Sequence, residues 1–294
     1  MRIYALIITC IGLLIVSGCG GGSSSRGADS GNGGDGNGSP QYNVEVRRTS
    51  FGIPHIKASN YANMGYGYGY VHAQDNLCVL AEDLLTIRGE RAKYLGRDGT
   101  YTIVANGSTA NNVDSDFFWK FIATDAAIAP LKNSDQEAID ATKGFVAGYN
   151  RYVKELNAGE HPGRHLACRD EAWLTQISAD DMFRRYFRLT LLASSSVFVN
   201  EVSQAKPPGP DNLPLPVDLD DILALDPGAL PLSGGLPIGS NMYALGPDAV
   251  SEESLLLGNP HFPWTGTERL YLTHLELPDA EIMGASLYGV PAVL

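Results

Sequence analysis

Eight of the chain's 17 prolines fall between Pro207 and Gly239. Proline fixes φ and donates no backbone hydrogen bond, so neither a long helix nor a central strand can run through that stretch. Asp218, Asp220, Asp221 and Gly234-Gly235 lie in it as well, and it reads as an exposed connector. The connector separates two textures. Before it, apolar residues recur at helical spacing. After it, they come in short alternating runs. The chain is therefore expected to be α+β, mostly helical on one side of the break and sheet-like on the other.

Tyr42 to Arg48 alternates apolar and polar residues, a strand signal, and Gly52-Ile53-Pro54 closes it with a turn. Ala58 to Gly96 reads as helices, with Val79, Leu80, Leu84, Leu85 and Ile87 set among Glu82, Asp83, Arg88, Glu90 and Arg91. Ser134 to Glu137 has the form of a capping box. Behind it Ala138, Ala141, Phe145, Tyr149, Tyr152 and Leu156 recur every three or four residues, until Asn157-Ala158-Gly159 ends the helix. Ser178 to Asp181 opens another helix, running through Leu189. Beyond Ser240, the runs 242–245, 254–257, 270–275 and 281–283 read as strands.

The N-terminus is an address. Met1-Arg2 is followed by an almost wholly apolar run from Ile3 to Val16 and by Ser17-Gly18-Cys19. Residues 1–18 form a secretory signal, too short for a spanning helix of about 20 residues. Val16-Ser17-Gly18-Cys19 resembles a bacterial lipobox, in which Cys19 would be lipidated and anchor the exported protein to the envelope membrane, in the periplasm or on the outer membrane. An ordinary signal with an incidental cysteine is the other reading. Residues 19–41 form a tether, since Gly20 to Ser39 holds nine Gly and five Ser. Cys78 and Cys168 remain in the exported part. An oxidising compartment permits a disulfide between them; two free buried thiols are the alternative. A net charge of −12 without a basic cluster excludes a nucleic-acid partner.

Several motifs carry no chemistry. Ser203-Gln-Ala-Lys206 lacks the companion motifs of serine β-lactamases. His161, His165 and Cys168 are broken by Pro162-Gly163 and lack a fourth ligand, so no metal site is expected. The informative feature is Gly239-Ser240-Asn241-Met242, placed where the texture changes.

Gly239-Ser240-Asn241-Met242-Tyr243 resembles the processing junction of the penicillin acylase family, which belongs to the N-terminal nucleophile hydrolases. Other stretches agree in the right order. Arg48 to Ile56 resembles the family's opening strand. Gly65 to Asp75 and Arg88-Gly89-Glu90-Arg91 resemble its first helices. Gly258 to Trp264 and Met283 to Pro291 resemble the start of its large subunit. The resemblance runs from about residue 42 to the end of the sequence.

The resemblance implies that Ser240 attacks the Gly239 carbonyl, so that the precursor cuts itself and Ser240 becomes an N-terminal nucleophile with its own α-amine as base. His261 would orient that amine or its water, the alternative being a structural histidine on a turn. Phe262 would line the acyl pocket, or simply pack in a core. The family's oxyanion donors have no counterpart before Leu294. Residues 42–206 correspond to the helical small subunit, 207–239 to a spacer, and 240–294 to the start of the large subunit. The sequence therefore reads as a truncated precursor, inactive alone. The implied whole is an αββα sandwich whose partner is its own large subunit, mostly missing here. No cofactor is required, and a structural calcium cannot be assigned. Asn259 to Trp264 resembles the branch acting on acyl-homoserine lactones and lipopeptides, which implies an aliphatic acyl amide as substrate. A non-catalytic surface lipoprotein derived from the same fold is the reading from a different class.

Overall fold

A computed structural model describes residues 41–104, 107–192, 194–207, 239–250 and 253–293. The signal, Cys19, nearly all of the tether and the connector from 208 to 238 lie outside the described residues.

The strand expected from Tyr42 to Arg48 is β1 (Val44–Arg48), and a second strand, β2 (Pro54–Ala58), follows the turn. Gly52 takes φ +82°, a left-handed conformation that glycine adopts without a Cβ clash, and its N–H closes the turn on Thr49 O at 2.9 Å. β1 therefore folds back antiparallel on β2, pairing Val44 with Ala58 and Arg48 with Pro54. The expected helix start at Ala58 is accordingly later. Asn60 caps α1 (Tyr61–Ile87), its side chain accepting from Asn63 N.

Three short elements follow, α2 (Arg91–Leu95), β3 (Thr100–Thr102) and β4 (Thr109–Asn111). The helical body continues with α3 (Asn112–Ile122), α4 (Asp125–Lys132), α5 (Gln136–Asn157), α6 (Ala179–Thr190) and α7 (Val199–Ser203). Beyond the connector come β5 (Gly239–Leu245), α8 (Pro247–Val250), β6 (Leu255–His261), β7 (Leu270–Leu277) and β8 (Ala280–Leu287). Asp135, not Ser134, caps α5: its Oδ1 accepts from Glu137 N and Ala138 N. Ser178 and Asp181 form a reciprocal capping box on α6, as their spacing predicts.

The main sheet has the order β1-β2-β7-β8. β2 pairs in parallel with β7, setting Ile56 opposite Leu275, and β7 pairs antiparallel with β8. Strands from before and after the connector thus share one sheet. α1 packs on this sheet and α5 packs on α1. Gly65 and Gly69, one turn apart on α1, meet α5 so closely that a Cβ would lie 2.0 Å from Ala141 O and 2.1 Å from Phe145 O. Gly144 and Gly148 of α5 reciprocate, against Ala62 O and Tyr66 O. Gly67 points the other way, onto Val44 and Ile56 of the sheet. The alternating Gly-Tyr run is thus a helix pressed between two layers, with glycine wherever backbone must come close.

Cys78 of α1 and Cys168 of the loop after α5 are joined as a disulfide, their Cα atoms 5.5 Å apart. Cys168 is therefore no metal ligand. No described helix is long and apolar enough to cross a membrane.

Candidate active site

Ser240 is the second residue of β5. β5 and β6 form a separate two-stranded antiparallel sheet, with Gly239 opposite His261, Ser240 opposite Pro260 and Asn241 opposite Asn259. The Ser240 Oγ donates to Gly239 O at 2.6 Å. Residues paired directly across an antiparallel ladder share a face, and neighbours along a strand alternate. The His261 ring therefore lies on the face of Gly239, and the Ser240 hydroxyl on the face of Pro260. Asn259 Nδ2 donates to His261 Nε2 at 3.0 Å, as expected for side chains two residues apart on one strand. The register brings His261 to the Gly239–Ser240 bond but aims its ring away from Ser240 Oγ. Phe262 follows β6 and is half-buried. All residues of β5 and β6 are exposed.

β7 and β8, by contrast, are locked to the helical body through α1. Tyr68, His72 and Asn76 stand one above another at a spacing of four, on a single helix face. Tyr68 Oη is 2.6 Å from Ser286 Oγ. His72 Nε2 accepts from Gly289 N at 3.2 Å. α1 is kinked at Asn76 (φ −137°, ψ 24°), whose Oδ1 accepts from Tyr288 Oη at 2.7 Å and from Arg269 Nη2 at 2.8 Å. Beside it, Asp75 Oδ2 accepts from Tyr271 Oη at 2.7 Å and from Arg48 Nη1 at 2.8 Å. His72 has no exposed surface, and burial, with Arg185 and Arg269 nearby, pushes its pKa down to about 3. It is neutral at any ordinary pH, which its role as acceptor requires.

A buried charge network ties the same parts together. Asp83 of α1 pairs with Arg185 Nε at 2.7 Å and Arg188 Nη1 at 3.1 Å, both from α6. Arg188 Nη1 also pairs with Glu268 Oε1 at 2.7 Å, and Arg185 Nη2 donates to Thr267 O at 2.9 Å. Burial pushes the Glu268 carboxyl up, but Arg188, the Thr267 hydroxyl and Arg185 together hold it below its usual range. Arg88, at the end of α1, makes two bonds of 2.8 Å to Asp181.

The chain's sequence matches the family model described as penicillin amidase over residues 43–294. The chain belongs to the penicillin amidase family. An acyl-homoserine lactone acylase PvdQ from Pseudomonas syringae pv. tomato is 39% identical over 254 residues, covering 85% of this chain and 32% of that protein. Aculeacin-A acylase from Actinoplanes utahensis is 36% identical over 260 residues, covering 86% and 32%. A thermostable penicillin G acylase from Alcaligenes faecalis, solved as a crystal structure, overlays 60% of this chain and 100% of its own chain, at 21% identity and a TM-score of 0.40. The chain spans about a third of the length of the curated relatives it matches.

Within this penicillin amidase chain, the stretches that carry the family resemblance fall at structural joints. Gln74 and Asp75 receive Arg48 from the end of β1, and Arg88 and Arg91 close the end of α1 against Asp181, Asn112 and Glu82. The sequence reading missed the Asp83–Arg185–Arg188–Glu268 network. Its signal was present: Asp83 lies on the apolar stripe of Leu80, Leu84 and Ile87, where a solvated carboxylate has no place. Nothing in the spacing of Glu268 marked it as a partner.

Proposed function

We propose that the protein is a self-processing amidohydrolase that cuts its own Gly239–Ser240 bond and then uses Ser240 as an N-terminal nucleophile on acylated amides. The observation that carries this reading is the Ser240 hydroxyl held against the carbonyl it would attack, 2.6 Å from Gly239 O, in a member of the penicillin amidase family.

In the first step Oγ adds to the Gly239 carbonyl carbon and the C–N bond breaks, giving an ester and a free Ser240 amine. Water then hydrolyses the ester and leaves a carboxylate on Gly239. An α-amine titrates near 7.7–8.0 and can take the Oγ proton near neutral pH. The substrate's acyl group passes to Oγ, its amine departs, and water releases the acid. His261 lies across from Gly239, so departure of Gly239 opens the space between its backbone and the new amine. That supports a role in orienting the amine or its water. Phe262 would line the acyl site.

The substrate class we assign is an aliphatic N-acyl amide. Relatives named for acyl-homoserine lactone and aculeacin A support it. The spacer before Gly239 would be trimmed, with 42–206 as small subunit and the part after Ser240 opening the large one. Cys19 would carry the lipid anchor of an exported protein, and catalysis would need no cofactor.

Intact-mass measurement of the protein expressed from its natural reading frame tests this directly. The wild type should appear as two chains, the second beginning at Ser240, and Ser240→Ala should remain whole. A wild-type bond that stays intact would sink the proposal. Release of fatty acid from an N-acyl-homoserine lactone, lost in Ser240→Ala, tests the substrate class.

A further inference from the structure

His261 is held by a neighbour on its own strand. The ladder of β5 and β6 sets Gly239 against His261, Ser240 against Pro260 and Asn241 against Asn259. Gly239, Asn241, Asn259 and His261 therefore share one face. On that face Asn259 Nδ2 donates to His261 Nε2 at 3.0 Å, and no other described side chain bonds the ring.

The bond fixes the ring in two respects. The first is place. Asn259 lies two residues back along β6, so the ring leans from the row of Gly239 toward the row of Asn241 and crosses the row of Ser240. The second is tautomer. An amide NH₂ only donates, so Nε2 is the bare nitrogen and the ring proton sits on Nδ1. Nδ1 adjoins the ring carbon that carries Cβ, and it lies closer to the strands than Nε2 does.

We propose that Asn259 is a positioning residue: it holds His261 in the Nδ1–H form, and this N–H orients the water that carries the Ser240 Oγ proton to the Ser240 amine. That water accepts from Nδ1 and from Oγ and donates to the amine nitrogen, so each proton has an acceptor. This role rests on the reading of Ser240 as an N-terminal nucleophile. An aspartate of the same shape would accept instead, draw the proton to Nε2 and leave Nδ1 bare toward the water.

Asn259→Asp in the full-length enzyme is the test. β6 is exposed here, so the melting temperature should not change. Release of fatty acid from an N-acyl-homoserine lactone is measured per chain cleaved before Ser240, counted by intact mass. Its kcat should fall about 10–100-fold, with KM little changed. Asn259→Ala should lose activity as well, and Asn259→Gln, which restores a donor, should recover part of it. In a His261→Ala background the Asp substitution should cost nothing further, because no ring remains to orient. A Ser240→Ala variant that keeps activity would remove the nucleophile reading itself. With Ser240→Ala inactive, a wild-type kcat in Asn259→Asp would overturn the role of Asn259 alone; an amide turned to offer Oδ1 to the ring would give that result. An equal loss with and without His261 would overturn it too.

Discussion

Two pairs of strands lie beyond the connector, and they are held in opposite ways. β7 and β8 join β2 in the main sheet and bury Tyr271, Leu275 and Ser286 against α1. β5 and β6, which carry Gly239, Ser240 and His261, are exposed along their whole length, with Met242 at 68% and Leu256 at 65%. In the hairpin, position is set by register alone. In the body, position is set by packing, buried ion pairs and glycine contacts. A substitution should therefore disturb stability in the body and chemistry in the hairpin, and the two effects should separate cleanly.

The strongest test of the contrast is the charge network. Arg188→Met leaves Asp83 and Glu268 buried without their shared cation and should destabilise the protein by about 3–5 kcal/mol in denaturant titration. The exposed Lys57–Glu276 pair is the control, and Lys57→Ala should cost less than about 1 kcal/mol. Next comes Gly65→Ala, whose new Cβ would meet backbone at 2.0 Å. Prying α1 from α5 should cost about 3 kcal/mol in the same titration. Replacing Cys78 and Cys168 together with Ser should cost about 2–4 kcal/mol, visible as a lower melting temperature.

The pH dependence is smaller and has a definite sign. An unfolded His72 takes up a proton below about 6.5, whereas the folded one does so only near 3. The folded state thus binds fewer protons in that window, and stability falls as pH drops from 6.5 toward 3. Carboxylates held low by cations, such as Asp181 by Arg88, lose their contribution only lower, below the ordinary carboxylate range. His72→Gln should flatten the upper part of this acid limb. The smallest effect belongs to the hairpin: Gly258→Ala meets nothing within 4 Å and should change stability by no more than about 0.5 kcal/mol.

What could be read in the sequence follows from how local each signal is. The α5 stripe from Ala138 to Leu156 and the Ser178 cap are patterns within a few turns of chain, and both are found in the structure. The shift to strands after Ser240 is equally local. The junction residues stood out because Gly239-Ser240 falls at that shift. The strand to Arg48 and the turn at Gly52 were legible, but the second strand beyond the turn, Pro54–Ala58, was not, because it is too short to show a period of its own. Nor was the parallel pairing of β2 with β7, since parallel partners leave no turn in the sequence to mark them. The Gly-Tyr alternation of 65–70 mimics a strand period, and only the facing glycines of α5 explain it. The face of the His261 ring depends on register, which no motif reports.

The parallel pairing also dictates an order of events in the life of the chain. Lys57 and Glu276 meet across 219 residues, so β2 must keep an open edge until almost all of this sequence is available. While the connector is continuous, the two halves find each other at the concentration that a tether imposes. If Gly239–Ser240 is cut, an unfolded protein becomes two molecules, and reassembly becomes bimolecular and dependent on dilution. The mature form would then be held by a barrier to unfolding rather than by ready refolding, and it would have one opportunity to fold.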